Sequence, residues 1–391
     1  MTDILHDPVA LALALIAQPT VTPCHDGAQD FLVGALEQLG FRTKRYPIEG
    51  VDNFYARLGA GAPNFCYCGH TDVVPVGDLG TWSSDPFRPE IRGGVLYGRG
   101  AVDMKGSIAA FLAATARYLS DHGPPEGSIS FLITGDEEGP ALYGTRRLLP
   151  AILADGEKLD HCIVGEPTSE EAVADIVKNG RRGSLNGIVR AVGLQGHAAY
   201  PEKSANPVPH LLDALQKLRA MPLDEGSPGF QRSNLEITTV DVGNPAHNVL
   251  PAAAMAKFNI RFNMNHSGDQ LMARITKLLA GSAGGVTVST ELRVSGEPFY
   301  TEPGPLTAIL VAAVEAETGR RPRLTTGGGT SDARFIKDHC PVAELGLRND
   351  TAHKVDEHAA VDEIETLSRV YYRVLSSYFA ATVQSSLSPP N

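Results

Sequence analysis

Apolar and polar positions along this chain fall into two textures. In residues 1–182 and 296–391, short unbroken runs of β-branched and bulky apolar residues alternate with longer stretches rich in Ala and Leu. Runs of the first kind are the pattern of strands buried on both faces, and stretches of the second kind that of helices packed on them. Strands are predicted at 41–46, 53–58, 64–69, 95–97, 129–134, 161–164 and 341–347. Helices are predicted from Asp7-Pro8 to about 17, from His25 to Leu39 with Gly40 as the stop, and at 105–119, 305–317 and 361–380. The Ser- and Pro-containing tail after Gln384 is expected to fray.

The middle of the chain reads differently. Residues 235–242 and 255–262 alternate apolar with polar positions, as half-buried antiparallel strands do. With strands at 184–192 and 286–292 and helices at 206–218 and 269–279, the order is β-α-β-β-α-β, a ferredoxin-like unit. Gly180-Arg-Arg-Gly183 and Ser295-Gly296 bracket it and are expected to act as hinges that close on a ligand. The fold expected is therefore α/β: a mixed, parallel-rich sheet flanked by helices (1–182 and 296–391) with an inserted α+β domain (183–295).

Several predicted strands end in the same chemistry. Run 129–134 leads straight into Asp136, Glu137 and Glu138, and run 64–69 into His70, Thr71 and Asp72. Run 95–97 passes through Gly98 and Gly100 to Asp103, run 161–164 meets Glu166, and His353 follows run 341–347 by six residues. Each has an innocent reading: Asp103 as a helix cap, Glu166-Pro167 as a turn, a lone His as a satisfied structural residue. In an open α/β sheet, however, ligands gather beyond the carboxyl ends of the strands. There the five carboxylates of Asp72, Asp103, Glu137, Glu138 and Glu166 would repel one another unless cations held them. Mixed imidazole and carboxylate ligands suit Zn²⁺, whereas hard cations favour oxygen alone. The set suffices for two ions about 3.5–4 Å apart bridged by one carboxylate. No HExxH or zinc-finger spacing occurs, so the fold must assemble the site from distant segments.

Composition narrows the partners. A formal charge of −11 over 391 residues argues against nucleic acid or an anionic membrane, and an anionic ligand needs locally concentrated cations. Cys24, Cys66, Cys68, Cys162 and Cys340 read as thiols in a reducing cytoplasm rather than a disulfide framework. The apolar stretch 9–17 is too short to span a membrane and has acidic neighbours, Asp3 and Asp7, so cytoplasmic residence is expected. The Gly327–Gly329 run has no GxxxxGK[ST] continuation and gives no phosphate loop.

The motifs GHTDVVPVGD (69–78), GRGAVDMKGS (98–107), ITGDEEGPALYGT (133–145) and IVGEPTS (163–169) resemble those of the co-catalytic zinc peptidases and deacylases of the M20 family. VKNGRRGSLNG (177–187), GHAAYPEKSANPVP (196–209), GGTSDARF (328–335) and HKVDEH (353–358) extend the resemblance over essentially the whole chain. It implies a zinc-peptidase-like catalytic domain and an inserted dimerisation and lid domain. It also implies hydrolysis of the succinyl amide of N-succinyl-LL-2,6-diaminopimelate, with acetylornithine deacetylation or dipeptide cleavage as siblings. A metal-stabilised binding protein on the same scaffold is the non-enzymatic alternative, against which Glu137 argues.

By the same resemblance, one Zn²⁺ per subunit is held by His70 and Glu166 and a second by Glu138 and His353, with Asp103 bridging and Co²⁺ able to substitute. Asp72 is expected to hydrogen-bond the far nitrogen of His70. Glu137 is the general base, an assignment between Glu137 and Glu138 that spacing alone leaves open. His197, from the other subunit of a homodimer, is the oxyanion donor. Lys178, Arg181, Ser184, Tyr200, Asn248, Arg261, Ser295, Thr330 and Arg334 match substrate-contacting positions, and Arg182 is a further candidate to clamp carboxylates. His247 departs from the Asn usual there.

Overall fold

The computed structural model describes residues 4–22 and 27–387; Cys24, His25 and the end of the tail lie outside the described residues. The chain divides into two compact units, Met1–Asn179 with Thr301–Thr325 and Ser331–Asn391, and Gly180–Tyr300 with Thr326–Thr330.

The first unit is built on an eight-stranded sheet. Its order is Arg42–Arg45, Asn53–Leu58, Ser128–Thr134, Asn64–His70, His161–Val164, Val342–Glu344, Ile176–Lys178, Arg323–Thr325. The four strands from Ser128–Thr134 to Val342–Glu344 are mutually parallel; Asn53–Leu58 pairs antiparallel to Ser128–Thr134, and Arg42–Arg45 antiparallel to Asn53–Leu58. Every residue of Asn64–His70 and Ser128–Thr134 is buried, as their unbroken apolar runs require. Register sets His70 opposite Thr134, and Val164 opposite both Cys68 and Glu344. Four neighbouring strands thus deliver their following loops to one rim.

Helix Lys105–His122 is buried along most of its length and packs against helices Pro8–Ile16 and Val361–Leu387. Its Ala and Gly positions let those helices approach closely, and an all-round apolar surface marks a helix inside the core. Phe111 on it stacks on Tyr67 of the central strand with ring centroids 4.3 Å apart. Asp7 caps Pro8–Ile16 by accepting from the Val9 and Ala10 amides. The last helix runs to Leu387, past the point where fraying was expected.

Two features depart from the sequence reading. Strand Val95–Tyr97 does not join the main sheet; it lies between Glu90–Arg92 and His358–Ala360 in a separate three-stranded sheet. Its three residues are too short a signal to specify which neighbours they pair with. Asp103 therefore reaches the rim from a different layer. Helix Thr145–Ala154 was not predicted, because Pro150 interrupts its pattern.

The second unit is a five-stranded antiparallel sheet in the order Asn234–Asp241, Ala253–Phe262, Gly183–Val192, Val286–Gly296, Gly281–Ala283. Helices Pro207–Ala220 and Gly268–Leu279 pack on it. Leu271, Ile275 and Leu279 recur every fourth residue as the buried stripe of the second helix, which starts with a Ser267–Gln270 capping box. Gly183 and Gly187 sit opposite Phe262 and Phe258, and a Cβ on either glycine would lie within 2.4 Å of the facing ring. A Cβ on Gly180 would lie 2.5 Å from the Phe299 carbonyl. Close packing is one thing these positions demand of glycine.

The segment preceding Asn234–Asp241 is held by Asp224, whose carboxylate accepts from the Gly226 and Ser233 amides, from Asn263 and from the His266 ring. Burial alone would raise its pKa, but the hydrogen bonds from Ser233, Asn263 and Gly226 outweigh it and hold the pKa at about 2. A depressed acid stabilises the fold above its unfolded pKa and loses that contribution as pH falls through the folded value. Denaturant titrations of Asp224→Asn are expected to show roughly 2 kcal/mol lower stability at pH 7. The deficit relative to the unmodified chain should shrink between pH 4 and pH 2.

Candidate active site

His70 is the last residue of the central strand. Its Nδ1 lies 2.8 Å from the backbone carbonyl of Asp72, which fixes the ring and leaves Nε2 turned toward Asp103 Oδ1 at 3.3 Å and Glu166 Oε1 at 3.8 Å. The carbonyl, not the expected carboxylate, is thus the nearer partner of Nδ1; the Asp72 carboxylate stands 3.6 Å away. That carboxylate instead accepts the backbone N–H groups of Glu137 and Glu138 at 3.0–3.2 Å and so anchors the loop after strand Ser128–Thr134. The short turn after His70 brings the carbonyl under the ring and leaves the side chain free to reach across.

Asp103 divides its oxygens. Oδ1 faces His70, and Oδ2 lies 3.1 Å from His353 Nε2, which also meets Glu138 Oε1 at 2.8 Å. Two ligand groups follow, His70–Asp103–Glu166 and Asp103–Glu138–His353, each with its donor atoms within 4.8 Å of one another. Asp103 belongs to both. Glu137 belongs to neither, although its backbone is fixed beside them. His353 sits in a turn at φ 62°, a left-handed backbone that aims the ring at Asp103 and Glu138.

Divalent cations fit this arrangement. His70 Nε2 and Asp103 Oδ1 are buried and have no hydrogen-bond partner among the described residues. A buried acceptor pair of this kind is costly unless a proton or a cation occupies it. Hydrogen bonds to Asp103 and then Glu138 lift the His353 pKa to about 10. Burial lowers that of His70, but Asp103, Asp72 and Glu166 outweigh it and raise the value well above the ordinary range. Burial and the neighbouring Glu166 charge push Glu137 well above the usual carboxylate range. Asp72 rises to about 6, mainly through burial.

The floor of the site is tightly packed. A Cβ on Gly165, next to Glu166, would lie 1.9 Å from Tyr67 Oη and 2.8 Å from Met104 Cε. One on Gly69, next to His70, would lie 2.9 Å from the same Met104 methyl. The His70 N–H also points to Met104 Sδ at 3.4 Å. These glycines let the ligand-bearing backbones settle on Tyr67 and Met104. Asp136, also at the strand end, is structural: it accepts the backbone N–H groups of Ala141, Leu142 and Tyr143.

Asp332 and Glu357 are buried acids that the sequence pattern does not pick out. Asp332 accepts from Thr145 Oγ1 at 2.7 Å, and Glu357 accepts from the loop that carries Asp103. Both lie inside quoted motifs, but neither follows a predicted strand, the signal used to collect the others.

Of the expected substrate contacts, Lys178 and Arg334 belong to the first unit. Lys178 is buried opposite Glu344, and the Arg334 guanidinium lies over the Phe335 ring. The second unit carries the remainder. Arg261 faces Ser184 across the ladder, and its Nη1 is buried with no hydrogen-bond partner among the described residues. Burial, then the nearby charges of Arg182 and Arg181, lower its pKa. Arg181 donates to the Gly329 carbonyl, and Arg182 to Asn234. Ser295 donates to the Ser184 carbonyl and accepts from Asn186. His197, Tyr200, His247 and Asn248 are exposed, whereas Thr330 is half-buried.

A sheet rim bearing two carboxylate–imidazole groups that share one acid has the donor set of a metal-dependent hydrolase. The particular family follows from comparison: residues 66–377 match Peptidase family M20/M25/M40, and the chain belongs to it. Similar relatives are the succinyl-diaminopimelate desuccinylases of Maricaulis maris (54% identical, covering 97% of each chain) and Rhodospirillum centenum (54%, covering 96% of this chain and 98% of that one). Another is that of Caulobacter vibrioides (55%, covering 96% and 97%). Among solved structures, the M20 family metallo-carboxypeptidase Sso-CP2 from Sulfolobus solfataricus shares the fold at 16% identity, with a TM-score of 0.79 over 96% of this chain and 99% of that one.

The packed floor yields a prediction. Gly165→Ala is expected to cost about 1–3 kcal/mol by overpacking, read by denaturant unfolding. Combining it with Tyr67→Phe should recover part of the loss, because the hydroxyl makes the closest contact. Additive losses in the double variant would reject this account of Gly165.

Proposed function

We propose that this chain hydrolyses the succinyl amide of N-succinyl-LL-2,6-diaminopimelate to succinate and LL-2,6-diaminopimelate, a step of diaminopimelate and lysine biosynthesis. The observation that carries the reading is Asp103, shared between two ligand groups, with Glu137 close by but outside both. Relatives more than 50% identical that are named for this reaction support the choice of substrate.

His70, Asp103 and Glu166 would hold one Zn²⁺, and Asp103, Glu138 and His353 the other, with Co²⁺ able to substitute. Two such ions lower the pKa of water toward neutrality and polarise the amide carbonyl. Glu137 takes the proton of the attacking water and returns it to the departing amine, for which its raised affinity for protons suits it. Asp72 keeps Glu137 in place through its backbone N–H.

The substrate carries three carboxylates, for which Lys178, Arg181, Arg182, Arg261 and Arg334 are the clamps. Ser184, Tyr200, Asn248, Ser295 and Thr330 supply the neutral contacts. His197 is the oxyanion donor, contributed to the partner subunit's site in a homodimer formed through the second unit. Its Nδ1 accepts the Ala199 N–H at 3.0 Å, so the neutral ring carries its hydrogen on Nε2, ready to donate. The buried free thiols Cys66, Cys68, Cys162 and Cys340 fit a cytoplasmic setting.

Elemental analysis is expected to find two divalent ions per chain. Their uptake should release protons and tighten as pH rises toward 10, since His353 is charged below that value and must be neutral to ligate. Glu137→Ala should keep both ions while kcat falls by about 10²–10⁴. Normal turnover without metal would overturn the mechanism.

Arg261→Ala should raise KM for the succinylated substrate by about tenfold or more, the worth of one charge-assisted pair. It should leave an N-acetyl analogue, which lacks the distal carboxylate, less affected. Faster hydrolysis of the acetylated compound by the unmodified enzyme would favour the acetylornithine deacetylase reading instead.

A further inference from the structure

One fully buried carboxylate beside the ligands has no part in the proposed reaction. Glu357 lies four residues after His353 and has no exposed surface. Its Oε1 accepts the backbone N–H groups of Val102 at 3.0 Å and Asp103 at 3.1 Å. Its Oε2 accepts the Gly100 N–H at 3.0 Å and Arg99 Nη1 at 2.7 Å. Its own carbonyl accepts the Gly98 N–H at 2.9 Å. One residue, through its carboxylate and its carbonyl, thus gathers the loop 98–103 from end to end.

The same residue closes the turn that carries His353. Arg99 Nη1 also donates to the Lys354 carbonyl, and the neighbouring Asp356 accepts from the Ser83 amide and hydroxyl. Strand His358–Ala360, which follows at once, pairs with Val95–Tyr97, which precedes the loop. The Asp103 loop and the His353 turn are therefore tied through Glu357, although they lie some 250 residues apart in sequence.

We propose that Glu357 is a positioning residue for both metal ions: it fixes the backbone of Asp103, the one acid common to the two ligand groups, and sets it against His353. The inference rests on the two-ion reading given above. Its chemistry is specific, because all four partners of the carboxylate are donors and each oxygen accepts two of them. An amide offers only one acceptor oxygen. In Glu357→Gln that oxygen is drawn to the Arg99 side, where the positive charge lies, and the NH₂ group then confronts the N–H groups of Val102 and Asp103. Asp103 would lose its anchor while the bulk of residue 357 stays unchanged. Because the Asp103 oxygens face His70 and His353 separately, the loss falls on both ions. A defect in His353 alone falls on one.

The experiment is competitive chelator titration of Zn²⁺ into the full-length apo-protein, comparing the unmodified chain with Glu357→Gln, His353→Ala and Asn64→Ala. Asn64 is equally buried and donates to Tyr55 Oη and the Lys158 carbonyl at the opposite end of the central strand, so it controls for general loss of buried hydrogen bonds. Glu357→Gln is expected to weaken both Zn²⁺ dissociation constants by about 10–100-fold, as loss of a residue supporting a ligand does. Saturating Zn²⁺ should restore turnover. His353→Ala should weaken one ion far more than the other, and Asn64→Ala should move neither, even where it lowers the melting temperature.

If Glu357→Gln does not fold, Glu357→Asp takes its place: it keeps the charge, is one methylene too short to hold all four donors, and carries the same expectation. Two Zn²⁺ bound by either variant with unaltered affinity, or losses matched by Asn64→Ala, would overturn the inference. Failure of the unmodified chain to take up two ions would overturn the reading beneath it.

Discussion

One carboxylate facing two imidazoles is the constraint around which the first unit is arranged. Asp103 gives one oxygen to His70 and the other to His353, and neither contact survives a shift of its backbone by much more than an ångström. The parallel strands bring His70, Glu138 and Glu166 to the rim by direction alone, since each follows the carboxyl end of a neighbouring strand. Asp103 has no such guarantee. It arrives from a loop after a three-residue strand of another sheet, and its register depends on the helix it precedes and on the buried acid beneath it.

A rim holding this many acids must sort them, and the sorting is visible in what each carboxylate accepts. Asp72, Asp136 and Glu357 are surrounded by backbone N–H groups, with Arg99 added for Glu357. Those fixed donors offset part of the cost of burying a charge, though burial still raises the pKa of Asp72 and Glu357, and the three serve to shape loops. Asp103 and Glu138 face imidazoles instead, groups that release a proton to solvent when they ligate a metal. Glu137 is half-buried among like charges and lies in neither ligand group, surroundings that raise its affinity for protons. Three surroundings thus distinguish the carboxylates of one rim.

Much of this was legible in the chain. Unbroken apolar runs ending in His70, Glu137–Glu138 and Glu166 locate both the central strands and the rim, because burial on both faces leaves no other pattern and the first polar residue marks the exit. The alternation in 235–242 and 255–262 is likewise a consequence of one wet face, and strands Asn234–Asp241 and Ala253–Phe262 cover nearly those residues. What stayed hidden depends on contacts distant in sequence. The pairing of Val95–Tyr97 with His358–Ala360 is too short to leave a periodic trace, and Pro150 disguises helix Thr145–Ala154. The role of Glu357 lies in backbone donors that every residue possesses. The choice of the Asp72 carbonyl over its carboxylate as the partner of His70 turns on a few tenths of an ångström, which no spacing encodes.

Charge adds a last constraint, on how the proposed substrate, with its three carboxylates, would be recognised by a chain of net charge −11. At physiological ionic strength the protein's field decays over about 8 Å, so its overall sign neither draws in nor greatly repels a small anion. Affinity must come from cations at contact distance. Arg261 suits that role because it is held within a strand, partly desolvated by burial, beside the like charges of Arg182 and Arg181, and without an ion-pair partner among the described residues. Such crowding is unfavourable in the free protein and is relieved when an anion arrives. On the proposed reading the arginines would thereby favour a carboxylate over a neutral acyl group by making the empty state the costly one, the same logic by which the rim acids would favour cations over solvent.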